Sequence, residues 1–205
     1  VDAISSVSGG SVTAAAYGLY GEEIFPMLEE AFLKRNIQGG LAARVINPLR
    51  WPRLWSGKYG RSDMAAEFYD EILFKGATFA DLLRGPGPYV VINSTDVSTG
   101  ARFEFTQPQF DLMDSDLAAF PVSRAVAASS AVPGLLTPVT LNNYSGRTGG
   151  PPPEWITRAP GPADGRAVLR ALELRPLLDS TNKPYVHVVD GGVSDNLGIR
   201  AVIEG

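Results

Sequence analysis

The opening stretch, VDAISSVSGGSVTAAAYGLY, constrains the fold more than any other. An apolar run over 2–7 has the pattern of a buried strand, breaks at Ser8, Gly9 and Gly10, and resumes at once as an alanine-rich helix over 9–20. A strand that turns this sharply into a helix presents its turn residue at the sheet edge. The alternation then continues. Residues 22–38 and 62–75 carry amphipathic helix patterns, with Ser62 placed to cap the second, and 121–131 has a helix pattern that stops before Pro133. Strands are expected over 88–97, 101–107, 135–142 and 185–192, the last with the nearly continuous apolar body of a strand covered on both faces. The expected fold is α/β in three layers: a central mixed or mostly parallel sheet covered by helices. Residues 144–166 are so rich in glycine and proline that a long surface loop or flap is expected there.

Composition narrows the function classes. With 205 residues, 44% of them hydrophobic and 20% charged, the chain can bury one sizeable core, so a single domain over 1–205 is expected. A net charge of -4 and a pI near 5.1 argue against a surface built to neutralise nucleic-acid phosphates. Absence of cysteine excludes disulfides and thiolate metal sites. No apolar run approaches the ~20 residues of a membrane-spanning helix, and no signal-peptide pattern is visible. The chain therefore reads as soluble, with peripheral membrane contact left open. Val1 lies inside a strand pattern and Gly205 follows a helix barely begun, so a domain truncated at both ends is expected.

The turn at Ser8 carries the chemistry. A serine between a strand and a helix N-terminus exposes its hydroxyl where unpaired N–H groups and the helix dipole favour negative charge, as at a nucleophile elbow. Gly9 would supply one backbone donor to an oxyanion, and Gly10 would relieve crowding where helix passes strand. A phosphate-cradling loop and an ordinary helix cap fit the same residues. The sole histidine, His187, stands three residues before Asp190 in one strand, which puts the two side chains on opposite faces and ~10 Å apart. A Ser-His-Asp triad is therefore not expected, and His187 should pack against the core or helix layer. Asp190 is the better base candidate: it ends a strand, and Gly191 and Gly192 after it allow another segment to approach closely. Asp-Gly is also the commonest turn signal.

Taken together, the motifs resemble the patatin-like phospholipases, lipid acyl hydrolases with a Ser–Asp dyad. Ser6 to Ser11 (SVSGGS) correspond to that family's elbow and Asp190-Gly191-Gly192 to its D-G-G. NSTDVSTGARFEF (93–105) resembles its D-x-x-T-G turn, AASSAVPGLLTPV (127–139) its A-S-x-A-x-P segment, and DNLG (195–198) its asparagine-containing stretch. The resemblance implies Ser8 as nucleophile, Asp190 as base, an acyl-serine intermediate, a phospholipid or other fatty-ester substrate, and no cofactor or metal. It also implies a glycine-rich oxyanion loop upstream of Val1, so this stretch alone is expected to be impaired in turnover. Two other readings stay open at this point: a phosphate- or nucleotide-binding module, weakened by the lack of G-K-[ST], and a catalytically silent lipid-binding domain.

Four further features have no assigned chemistry. From Lys34 to Arg61 there are seven basic residues and no acid, with aromatic residues among them. Arg50, Trp51, Arg53 and Trp55 would suit an anionic membrane surface, or equally a solvated loop whose tryptophans pack inward. Asn93 and Asp96 sit near a strand end where they could line the site, although a turn-stabilising role is expected. DLMDSDL (111–117) is expected to be a solvated loop, and Ser129 and Ser130 to mark a helix terminus.

Overall fold

The computed structural model describes residues 2–34, 39, 40, 44, 59–157 and 165–203. Five strands form one sheet: β1 (Ala3–Val7), β2 (Tyr89–Asp96), β3 (Arg102–Glu104), β4 (Val139–Asn142) and β5 (Tyr185–Asp190). Its order is β1-β2-β5-β4, with β3 also paired to β2. β1 runs parallel to β2, while β2–β3, β2–β5 and β4–β5 are antiparallel. The sheet is mixed. A tight turn, with Gly100 at φ 71°, folds β3 back onto β2, which forces that pair to be antiparallel.

Helices cover both faces. α1 (Gly9–Tyr20), α2 (Arg61–Tyr69), α3 (Phe79–Arg84) and α4 (Val122–Ser129) cluster with one another, and α1 and α4 lie against β2. Across the sheet, α5 (Gly165–Leu174) reaches β3 through Arg170, whose Nη1 donates to the Arg102 carbonyl at 2.8 Å. Glycine sets how close α1 comes to the sheet. A Cβ on Gly18 would lie 2.7 Å from Leu82 Cδ1 and 2.8 Å from Val90 Cγ2. The core combines the small face of α1 (Val12, Ala15, Ala16) with Val90 and Ile92 of β2 and a cluster of phenylalanines at 79, 103, 105 and 110. The three-layer α/β expectation holds.

Several local expectations are corrected. Helix α2 is capped at Gly60, whose N–H donates to the Asp63 carboxylate at 2.8 Å. Ser62 lies inside the helix and spends its hydroxyl on the Thr137 carbonyl. Leu112, Met113 and Leu117 are buried, so 111–117 is no solvated loop; its acids face out around an apolar anchor. Strand β5 stops at Asp190 because Gly191–Val193 coil into a tight 3-10 turn. Within 144–166 there is a helical turn at Glu154–Thr157, and 158–164 lie outside the described residues. Helix α5 was not expected from the sequence; it buries Ala171 and Leu174. Arg50, Trp51, Arg53 and Trp55 also lie outside the described residues.

Candidate active site

Register brings two distant segments together. Val7 pairs with Asn93, and Ser94 pairs with Asp190, so β1 and β5 both finish against the same point of β2. β3 occupies the other edge of β2 along Asn93–Thr95, so β1 and β5 share one edge and meet end to end there. The side chains that follow the two strand ends meet at that junction. Ser8 Oγ donates a hydrogen bond to Asp190 Oδ2 at 2.7 Å.

The backbone at Ser8 is strained. Its φ of 53° and ψ of -136° lie outside the regions favoured for a residue with a Cβ. Such a conformation costs on the order of 1–3 kcal/mol and persists only where neighbours over-determine it. Those neighbours are identifiable. The Ser8 N–H donates to Ser129 Oγ at 3.0 Å, and Ser129 donates in turn to the Asn93 carbonyl at 2.6 Å. Ser11 Oγ lies 2.9 Å from Ser129 Oγ and 3.1 Å from Ser6 Oγ, which donates to the Val91 carbonyl at 3.1 Å. Ser6, Ser11 and Ser129 are all buried. A knot of hydroxyls thus ties the turn, the start of α1 and the end of α4 to β2. Ser129 does end a helix, as expected, but its grip on Ser8 was not read from the sequence. The nearest signal was three serines at positions that turn inward only in the folded chain.

Asp190 is held as firmly. Its Oδ1 accepts the Gly192 N–H at 2.7 Å, which turns Oδ2 toward Ser8. Its N–H donates to the Ala131 carbonyl at 3.1 Å, and its carbonyl accepts from Thr95 Oγ1 at 2.9 Å. Gly191 explains the first glycine of D-G-G. A Cβ there would lie 2.4 Å from the Asn93 carbonyl oxygen and 2.7 Å from Val7 Cγ1, so only glycine lets the chain leave β5 this close to β2 and the end of β1. The crowding expected at Gly10 is absent. Nothing lies within 4 Å of a Cβ built on Gly9 or Gly10, and both are exposed where α1 begins.

Electrostatics at the turn follow from helix geometry. Gly9 opens a twelve-residue helix, so its N–H is among the donors with no intrahelical acceptor. That end of the helix carries partial positive charge beside the Ser8 hydroxyl.

Other candidates fall elsewhere. His187 points away from Asp190, but it is exposed rather than packed in the core, with Nδ1 sharing a hydrogen bond with Thr140 Oγ1 at 2.9 Å. Asp96 stabilises its turn, accepting from the Ser98 N–H at 3.0 Å and pairing with Lys183. Asn93 binds β1, donating to Ser5 Oγ at 2.9 Å and the Ser6 carbonyl at 3.0 Å. Among the described residues, no group of three or more histidine, aspartate or glutamate side chains is placed to hold a metal ion. Nor is any of their helices long and apolar enough to cross a membrane.

An α/β sheet edge at which serine meets aspartate with no imidazole between them defines a narrow class of protein. The chain belongs to the patatin-like phospholipase family, whose family model matches residues 1–203. Membership sets it among lipid acyl hydrolases. The chain matches no curated protein and no solved structure.

Proposed function

We propose that this chain is a serine ester hydrolase of the phospholipase A or esterase type, with Ser8 as nucleophile and Asp190 as its base. The reading is carried by the 2.7 Å hydrogen bond from Ser8 Oγ to Asp190 Oδ2. Ser8 Oγ attacks the carbonyl carbon of a fatty ester while Asp190 Oδ2 takes the hydroxyl proton. The negative charge that develops on the carbonyl oxygen is stabilised by the Gly9 N–H and the positive end of α1. Collapse of the tetrahedral intermediate expels the alcohol, which receives the proton from Asp190 and leaves an acyl ester on Ser8. Water then attacks that ester, giving its proton to Asp190, which returns it to Ser8 Oγ as the second tetrahedral intermediate collapses and the fatty acid leaves. Gly192 keeps the carboxylate from rotating throughout, and the Ser129 contact keeps Ser8 in the conformation that points its hydroxyl outward.

A fluorophosphonate probe tests the reading on the full chain. Expected is a single covalent adduct, located by peptide mass spectrometry on Ser8 and lost in both Ser8→Ala and Asp190→Asn. Adduct formation at another serine, or undiminished labelling of Asp190→Asn, would overturn the assignment.

A further inference from the structure

Two loops flank the Ser8–Asp190 pair, and both are tied to the Asp190 turn. One follows Ala131, whose carbonyl accepts the Asp190 N–H. The other continues from Asp190 itself, with the Ser194 and Asp195 N–H groups both donating to the Gly191 carbonyl. Val132 and Leu135 stand out from the first loop, Val193 and Leu197 from the second. Those four are among thirteen large apolar side chains that stand exposed among the described residues, yet they occupy only the short stretches 132–135 and 193–197. Leu197 and Leu135 are the most exposed of the whole set, at 73% and 71%. Clustering of this kind on two loops tied to one turn is not the scatter of single apolar residues that any surface carries.

Apart from the buried Asp190, charge is sparse at the same end of the molecule. Residues 3–16 and 125–139 contain no ionisable side chain, and 191–199 contain only Asp195. That one carboxylate is engaged, accepting the Arg200 N–H at 2.9 Å and standing 4.0 Å from Arg102 Nη1. Cations border the region instead: Arg61, whose Nη2 reaches the Gly134 carbonyl at 3.4 Å, and the exposed Arg200. Exposed Gly9, Gly10 and Gly134 leave bare backbone between the protruding side chains.

We infer that this end of the sheet docks on the surface of a phospholipid aggregate. The inference rests on the proposed hydrolase function and deepens it by saying how the ester reaches Ser8. Isolated apolar tips on two separate loops make no groove for a folded partner or a helix, whereas fluid acyl chains accept separate protrusions one by one. A centre whose carboxylate, Asp190, is buried, rimmed by arginines, meets hydrocarbon in its middle and phosphate at its border.

The test uses the full chain carrying Ser8→Ala, so that vesicles are not consumed. Vesicles of mixed phosphatidylcholine and phosphatidylglycerol should bind this protein, and adding Leu135→Glu with Leu197→Glu should weaken binding about tenfold or more, since each leucine loses its apolar burial. A Leu135→Trp reporter should shift its emission to the blue when vesicles are added. With Ser8 intact, the double glutamate variant should hydrolyse a soluble short-chain ester within about twofold of the parent rate, because neither leucine touches the reacting groups. Unchanged vesicle binding by that variant would overturn the inference. So would loss of self-association with no vesicle binding in the parent, which would make the surface a contact between two copies. Failure of the hydrolase reading is separable: it would appear as ester hydrolysis surviving Ser8→Ala, with vesicle binding unaffected.

Discussion

Ser129 accepts the backbone N–H of Ser8 at 3.0 Å while donating its own proton to the Asn93 carbonyl at 2.6 Å, so one buried hydroxyl holds the strained turn against the central strand. Removing it leaves a donor and an acceptor unsatisfied in the interior, a loss of about 1–3 kcal/mol. Ser129→Ala should lower kcat for a soluble ester roughly tenfold, with KM within about twofold, because the turn relaxes rather than the substrate contacts. Ser129→Thr keeps the hydroxyl but crowds a fully buried position. It should recover more kcat than Ser129→Ala even where its thermal midpoint is no higher, an outcome that a purely structural role would not produce.

Removal of the proposed base should be far more costly. General-base assistance is worth about 10²–10⁴-fold, so Asp190→Asn should reduce kcat/KM for a soluble ester by that range while leaving the fold intact by circular dichroism. His187→Gln should retain activity within about twofold, since the ring is exposed on the face away from Asp190 and bonds only Thr140 among the side chains around it. Steady-state kinetics of both variants decide between a dyad and a histidine-dependent mechanism.

The glycines of the site should separate by position. Gly191→Ala places a methyl group 2.4 Å from a backbone oxygen that cannot step aside, and should destabilise the protein by about 1–3 kcal/mol in urea unfolding. Gly10→Ala meets open space in the first turn of a helix and should be neutral or slightly stabilising. Equal effects at the two positions would contradict the close packing of Gly191 against Asn93 and Val7.

Asp114 offers a pH-dependent check on the fold away from the site. The Thr148 N–H, donating at 3.1 Å, holds the Asp114 carboxyl below its ordinary value, with the Thr148 hydroxyl at 3.0 Å adding to the effect. A depressed folded-state value means that the stabilisation is present at neutral pH, above the unfolded carboxyl's range, and is lost as pH falls through the folded value. Asp114→Asn should therefore lower the thermal midpoint at neutral pH, and the gap to the parent should close under acid conditions. Asparagine tolerates the left-handed backbone at this position, φ 47°, so the comparison reads the loss of the charge and of one acceptor oxygen rather than backbone strain.

Local sequence determined much of this protein. The passage from strand to helix across Ser8, the elements that follow it, the absence of a triad around His187 and the pairing of the SVSGGS and D-G-G segments were all legible. Each depends on periodicity, turn chemistry or motif order, which are properties of neighbouring residues. Only the tertiary structure decided how Ser8 is held. The hydroxyls of Ser6, Ser11 and Ser129 look like ordinary polar positions in the chain, and they become one buried network because α1 and α4 meet over β2. The same holds for Gly191, whose necessity comes from the Asn93 carbonyl nearly a hundred residues earlier, and for α5, whose buried side is set by the sheet beneath it. Contacts between segments far apart in sequence leave no local pattern, so register and helix packing had to be seen before the site could be assembled.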